Sequence, residues 1–178
     1  CTNLEHLVLN FLGDDRLSRM EMALPLPLGQ CARLCHLEIC GLYHMSDIKP
    51  LTQCMNLRHL VLSFLPISDL SPLAACPHLE HLRLSFLSKL STLSPLAQCE
   101  CLQSLALCCL HHVTDLATLS ACTQLKGLSL SELSNVTDST PIAQCVCLQS
   151  LRLSGLNVKS LSPLLACKKL SFFCFFLD

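Results

Sequence analysis

The sequence predicts an α/β solenoid, in which short parallel strands form one sheet and 3₁₀ or very short helical turns lie on the opposite side. Three features lead to this prediction: a cysteine that recurs at a nearly constant spacing, an L-x-x-L-x-L frame that follows each of these cysteines, and a proline-containing segment between frames. A unit of this length cannot bury a hydrophobic face alone, whereas a stack of units encloses one continuous core.

The recurring cysteine sets the period of the repeat. Eight of the 15 cysteines follow one another at intervals of 30, 23, 22, 23, 23, 23 and 22 residues. We call them the ladder cysteines: Cys1, Cys31, Cys54, Cys76, Cys99, Cys122, Cys145 and Cys167. A cysteine held at one phase of a repeat is expected to be a small buried core residue, and many free thiols are typical of a reducing compartment. We therefore predict a cytoplasmic location.

The frame after each ladder cysteine predicts a β-strand. Three positions after each cysteine comes a leucine, and the next two frame positions are again leucine, isoleucine or, in the last copy, phenylalanine. In the copy at 57–62, Leu60 and Leu62 alternate with His59 and Val61. Alternation with a period of two indicates a strand with one buried face.

The segment between frames predicts a tight turn. The pattern Leu-Ser-Pro-Leu at 70–73 returns at 93–96 and 161–164, with variants at 48–51 and 139–142. Serine followed by proline favours an N-cap and a first helical position, and the few residues before the next cysteine leave room only for a 3₁₀ or short helical turn. Four aspartates precede this segment and are predicted to cap its backbone N–H groups. They are Asp47, Asp69, Asp115 and Asp138.

These motifs resemble the leucine-rich-repeat family over essentially the whole chain. The Asp-Leu-Ser-Pro-Leu phase is similar to internalin-type repeats, and the Cys-x-x-Leu-x-x-Leu-x-Leu opening to the cysteine-containing class. The resemblance implies a right-handed horseshoe with a parallel β-sheet on its concave face and the turns on its convex face. One position departs from the family pattern, because leucine replaces the usual asparagine or cysteine, as at Leu65 and Leu87. We expect backbone pairing between coils to satisfy those turns.

We expect residues 1–178 to form a single array of about eight coils that is a fragment of a longer chain. The longer first interval predicts an insertion near 13–24. The last frame is the most apolar stretch, 172–177, and predicts ends that are prone to self-association.

Composition and motifs argue against several classes of function. No apolar run approaches the ~18 residues that span a bilayer, so we predict no membrane insertion. A net charge of -1 gives no electrostatic footprint for nucleic acid. The sequence has no nucleophile elbow, phosphate loop, zinc-protease motif or dinucleotide fingerprint, so we predict that the protein is not an enzyme and needs no cofactor.

The residues between the frame leucines are predicted to form the exposed concave face. The N-terminal half of this face is rich in histidine, with phenylalanines along one edge. The predicted partner-binding residues are His36, His59, Val61, Phe64, His81, Arg83 and Phe86. An alternative is that the phenylalanines cover the edge of the core and the histidines are merely exposed. Residues of one column point in parallel and do not converge, so we predict no metal site.

A continuous face of aromatic and polar groups suits protein recognition. We therefore predict a non-enzymatic protein-protein interaction module that binds another protein through its concave face. Two alternatives stay open: a cell-surface recognition array of the internalin type, and the substrate-recognition arm of a ubiquitin-ligase-type complex.

Overall fold

The computed structural model describes residues 3–12 and 28–176, and these residues form one open parallel sheet with short turns behind it. The strands are β1 (His6–Asn10), β2 (His36–Cys40), β3 (His59–Ser63), β4 (His81–Ser85), β5 (Ser104–Cys108), β6 (Gly127–Ser131), β7 (Ser150–Ser154) and β8 (Phe172–Phe176). They follow sequence order, and each neighbouring pair is parallel. The 3₁₀ turns span Leu28–Gln30, Lys49–Gln53, Ser71–Ala75, Ser94–Gln98, Ala117–Ala121, Thr140–Gln144 and Ser162–Ala166. The predicted α/β solenoid with short turns is confirmed.

The register between strands follows the sequence frame without a slip. In β3 and β4, for example, Leu60 lies beside Leu82 and Leu62 beside Leu84. The same frame positions pair throughout the sheet. Because a slip of one residue would turn every leucine to the other face, burial of one face specifies this register strongly.

The frame leucines form the core of the solenoid. From β2 to β7 both inward-facing residues of every strand are at most 3% exposed. The seven ladder cysteines that the structure describes are also buried, as predicted, and those from Cys76 onward point their thiols at a carbonyl of the preceding coil. The Cys76 Sγ, for instance, lies 3.5 Å from the Leu51 oxygen, and the Cys145 Sγ lies 3.5 Å from the Leu119 oxygen. These contacts tie consecutive coils together on the turn side.

The turns are capped by aspartate, and the prediction that serine is the N-cap is wrong. Ser71 is the first residue of its 3₁₀ turn and Pro72 the second. The Asp69 carboxylate accepts a hydrogen bond from the Ser71 N–H at 2.8 Å and from its hydroxyl at 2.7 Å. These bonds hold the pKa of Asp69 below its usual value. Asp47, Asp115 and Asp138 accept the equivalent backbone bond, so the predicted aspartate caps are confirmed.

Each strand from β2 to β7 is followed directly by a residue with left-handed backbone. The φ angle is +80° at Gly41, +56° at Phe64 and +53° at Phe86, and the position is also left-handed in the next three coils. The backbone N–H of this residue donates to the last strand carbonyl of the following coil, as from Phe64 to Ser85 at 3.0 Å. The predicted backbone pairing therefore serves these turns, and the leucine that follows is free to enter the core.

Substitution of two glycines, one at the left-handed position and one within a strand, tests the cost of the left-handed backbone. A Cβ on Gly41 would lie 2.9 Å from the Leu12 backbone nitrogen, whereas a Cβ on Gly127 would meet only the Ser104 hydroxyl, at 3.6 Å. We expect Gly41→Ala to destabilise the fold by about 1–2 kcal/mol from the backbone conformation alone. Gly127→Ala, the matched control within a strand, should change stability by less than about 0.5 kcal/mol. Urea denaturation measures both, and equal losses would contradict this account of the turn.

The ends of the chain differ from the middle. The predicted insertion near 13–24 lies outside the described residues. In β8, Phe173 and Phe175 occupy frame positions, yet Phe173 is 46% exposed. Phe172 is 44% exposed and Phe176 is 59% exposed. Self-association through this end stays a prediction. Within residues 3–12 and 28–176, no helix is long and apolar enough to cross a membrane.

Candidate binding face

The concave face consists of the strand residues that point away from the leucine core. The first, third and fifth positions of each strand face this way, so the parallel register stacks equivalent residues into columns. Successive residues of one column are about 4.8 Å apart, which is the distance between neighbouring strands. The first column begins with four histidines, which are His6, His36, His59 and His81. Their rings lie against one another, and those of His59 and His81 are stacked with centroids 4.3 Å apart and planes at 4°. We call these four residues the histidine column.

The surroundings of His59 in the histidine column favour its neutral ring. Burial, followed by the neighbouring charges of His81 and His36, lowers the pKa of His59 below its ordinary value, against an opposing effect of Glu80. His36 has a different partner, because its Nε2 lies 2.8 Å from the Glu38 carboxylate. The column therefore presents a row of adjacent imidazole rings, of which His59 is held toward its neutral form.

Phe64 and Phe86 form an aromatic pair at the carboxyl ends of β3 and β4. Their rings are stacked with centroids 4.3 Å apart and planes at 9°. Phe86 is 41% exposed, and Phe64 is half-buried. Phe11, the equivalent residue after β1, packs against the core instead. Both members of the pair have left-handed backbone, which costs a residue with a side chain roughly 1–2 kcal/mol.

A groove of about 310 Å³ lies between the aromatic pair and the strands β1 to β5. Val61, Phe64, Arg83 and Phe86 line it together, so the structure brings four of the seven predicted residues to one place. In its wall, the Ser85 hydroxyl is buried and has no hydrogen-bond partner among the described residues. Buried hydroxyls are usually paired, so Ser85 is an exception within this face.

The other three predicted residues, His36, His59 and His81, lie in the adjacent column and do not line the groove. Conversely, sequence reasoning missed Tyr43. It is 51% exposed and shares a smaller cavity of about 210 Å³ with Phe64 and Phe86. A signal was present, because Tyr43 lies two residues after Gly41, which holds the same turn position as the two phenylalanines.

The residues that the structure describes do not form a cluster with the geometry of a metal site. No group of three or more histidine, cysteine, aspartate or glutamate side chains there could hold a metal ion. The histidines stack at ring-to-ring distances of 4.3–5.5 Å and their side chains run in parallel. What this face offers is a surface of rings, hydroxyls and guanidinium groups.

Comparisons with known proteins agree with the repeat pattern. A family model of two leucine-rich-repeat copies matches residues 56–98. No curated protein sequence matches the chain. Among solved structures, an internalin from Listeria monocytogenes is 32% identical, with a TM-score of 0.75 over 84% of this chain and 43% of the internalin. The chain therefore spans less than half the length of that internalin.

Two further structures support the fold alone. Internalin C2, also from Listeria monocytogenes, is 24% identical, with a TM-score of 0.75 over 85% of this chain and 74% of its own. A leucine-rich-repeat protein from Leptospira interrogans is 17% identical, with a TM-score of 0.57 over 92% of this chain and 52% of its own. The repeat match at residues 56–98, the phased sequence motifs and the eight-stranded parallel sheet together show that the chain has the leucine-rich-repeat fold.

Proposed function

We propose that the chain is a non-enzymatic protein-interaction module, and that its partner docks on the N-terminal half of the concave face. The proposed contact residues are His36, His59, Val61, Phe64, His81, Arg83 and Phe86, to which we add Tyr43. The leucine-rich-repeat fold and the similarity to an internalin support a binding role.

The aromatic pair carries the proposal. Gly41 and Gly155 occupy the same turn position in other coils, where glycine adopts left-handed backbone without a steric cost. Phe64 and Phe86 keep this conformation at a cost in stability, and their stacked rings stay outside the core cluster. Cys109 and Glu132 share this backbone in later coils, so the stacked rings are what distinguish Phe64 and Phe86. Exposed aromatic rings beside an arginine are also the groups most enriched at binding hot spots.

The experiment replaces phenylalanine by the residue that the backbone prefers. Phe64→Gly removes the ring but relieves the strain, so we expect stability to change by less than about 1 kcal/mol. Cys109→Gly is the matched control, because Cys109 has a φ of +53° at the same turn position and lies outside the aromatic pair. Peptides selected from a random display library against the wild-type protein serve as probes. Their dissociation constants are measured by calorimetry for all three proteins.

We expect Phe64→Gly to weaken the selected peptides by at least about 10-fold, which corresponds to ~1.4 kcal/mol, and Cys109→Gly by less than about 2-fold. Equal effects of the two substitutions would refute the assignment of the face. A large loss of stability in Phe64→Gly would instead show that the phenylalanine is structural.

One alternative function has an observation in its favour. The 32% identity to an internalin supports a cell-surface recognition array of the internalin type. That array and our proposal share the binding face, and the redox state of the exposed Cys101 thiol in the native protein distinguishes them. A reduced thiol fits the cytoplasmic location that we propose, and an oxidised thiol fits a cell surface.

A further inference from the structure

The C-terminal half of the concave face holds a second depression, which we call the basic trough. It spans β4 to β7, has a volume of about 490 Å³, and lies outside the aromatic pair. Small residues make up its floor, with Ala106, Gly127 and Ser129 in the centre. On the neighbouring strand β4, the same columns carry His81 and Arg83, whose side chains are larger than those of the floor. The two ends of the trough are Arg83 on β4 and Arg152 on β7.

Both arginines are exposed and without an acidic partner among the described residues. The described ion pairs use other groups: Arg33 with Glu5, His36 with Glu38, Lys49 with Asp47 and Arg58 with Glu80. The concave-facing residues of β4 to β7, all of them described, include no carboxylate. This part of the face is therefore positively charged, although the chain as a whole has a net charge of -1.

The arginines are held differently at the two ends. The Arg152 guanidinium lies 5.0 Å from the centroid of the Phe172 ring, a cation–π contact that positions it at the end of the trough. Arg83 also lines the aromatic groove, so it stands between the two depressions. Two carboxylates next to these strands lie elsewhere: Glu132, after β6, lies against Gly155 beyond the strand end, and Glu80, before β4, pairs with Arg58. No acidic group of this stretch neutralises the trough.

The spacing of the arginines suits an extended acidic segment. Arg83 and Arg152 occupy the same column on strands three apart, so their backbones are separated by about 14 Å. In an extended chain, residues four positions apart are separated by about 13 Å and point to the same side. Two carboxylates at that spacing would each reach one guanidinium. The serine hydroxyls of the floor are then available for the backbone of the segment, because the strands already use their own backbone groups within the sheet.

We propose that the basic trough binds an extended acidic segment of a protein partner, with two carboxylates four residues apart paired to Arg83 and Arg152. This inference rests on the proposed function and names the partner chemistry for the other half of the same face. A peptide fits better than a nucleic acid, since only two cationic groups line the trough and its floor has no aromatic ring on which bases could stack.

The test is an NMR titration of the isotopically labelled protein at low ionic strength. The probe is a blocked peptide of serine, proline and glycine that carries two glutamates four residues apart, and its counterpart carries glutamines. We expect the glutamate peptide to bind at least about 10-fold more tightly and to shift the side-chain Nε–Hε signals of Arg83 and Arg152. Arg152→Gln should weaken binding about 10-fold. Lys168→Gln, which removes one exposed charge outside the trough, should weaken it less than about 2-fold.

Several outcomes would overturn the inference. Equal affinity for the glutamate and glutamine peptides would show that the carboxylates do not contribute to binding. Equal effects of Arg152→Gln and Lys168→Gln would show that the peptide does not bind in the trough. Tighter binding of a single-stranded oligonucleotide would show that the trough prefers a nucleic acid to an acidic peptide. Phe64→Gly separates this inference from the proposed function, because Phe64 does not line the trough and its loss should leave binding of the acidic peptide unchanged.

Discussion

Leu62→Ala is expected to destabilise the protein by about 2–5 kcal/mol. Leu62 is fully buried in the middle of β3, between Ile39 of β2 and Leu84 of β4. Removing its side chain leaves a cavity that the neighbouring coils cannot fill, because the register fixes every leucine of the column in place. Each coil contacts only its neighbours, so the loss should be centred on these three strands. Urea denaturation gives the total loss, and hydrogen exchange gives its location.

The control uses the same substitution at an exposed leucine. Leu165 lies in the last 3₁₀ turn and is 86% exposed, so Leu165→Ala should change stability by less than about 0.5 kcal/mol. If the two variants lost equal stability, or if exchange increased evenly along the sheet after Leu62→Ala, the idea of one shared leucine core would be wrong.

The ladder cysteines Cys54, Cys76 and Cys99 should resist alkylation by about 100-fold relative to an ordinary thiol. Burial raises the pKa of Cys99 from 9.0 to about 11, with a smaller contribution from Cys122. Two pKa units reduce the reactive thiolate about 100-fold at neutral pH. Cys101, two residues further along, is exposed and provides a control within the same proteolytic peptide. Iodoacetamide labelling followed by mass spectrometry measures both rates.

Alkaline pH should weaken the fold through the same thiols. The folded pKa is about 11 for Cys54, Cys76 and Cys99, above the ordinary value of 9.0. A raised folded pKa means that the contribution of these thiols to stability is complete below pH 9 and is lost as the pH rises from 9 to about 11. Rapid labelling of Cys99 at pH 8, at the rate of Cys101, would contradict both expectations.

Burial also explains why the ladder cysteines recur. Each described ladder cysteine fills a small space behind the sheet, and five of them direct the thiol to a carbonyl of the preceding coil. Their free state follows from packing, whatever the compartment. The cytoplasmic location is therefore a proposal that depends on the exposed thiols, of which Cys101 is the one to examine.

The aspartate caps are a feature that the local sequence pattern predicts correctly. A carboxylate two residues before the 3₁₀ turn reaches the first free N–H in four coils, and this relation is visible in the sequence alone. The prediction that the serine is the N-cap is wrong. Serine is a common N-cap before proline, whereas here it is the first residue of the 3₁₀ turn and the leucine before it is the N-cap. In two coils that lack the aspartate, Thr92 and Ser160 accept the same backbone bond.

The aromatic pair shows what local pattern could not supply. The sequence places Phe64 and Phe86 at equivalent positions, but it does not reveal their left-handed backbone or their stacking. Phe11 has the same position after β1 and packs on the core. Three identical residues at one phase of the repeat thus have two different environments, which depend on the neighbouring coils. Arg152 became a candidate only once its distant neighbours along the chain were known, and only the structure shows the cavity that Tyr43 shares with the pair.

By itself, the sequence determined the repeat, the strand register, the buried leucines and cysteines, and the columns of the concave face. It could do so because each coil contacts only the next, so a periodic pattern specifies nearly every core contact. The tertiary structure decided which exposed residues act together: the aromatic groove with its unpaired Ser85, and the two arginines that face each other across the basic trough. These groupings depend on side-chain directions and on the absence of nearby carboxylates across several strands, and no repeat pattern encodes either of them.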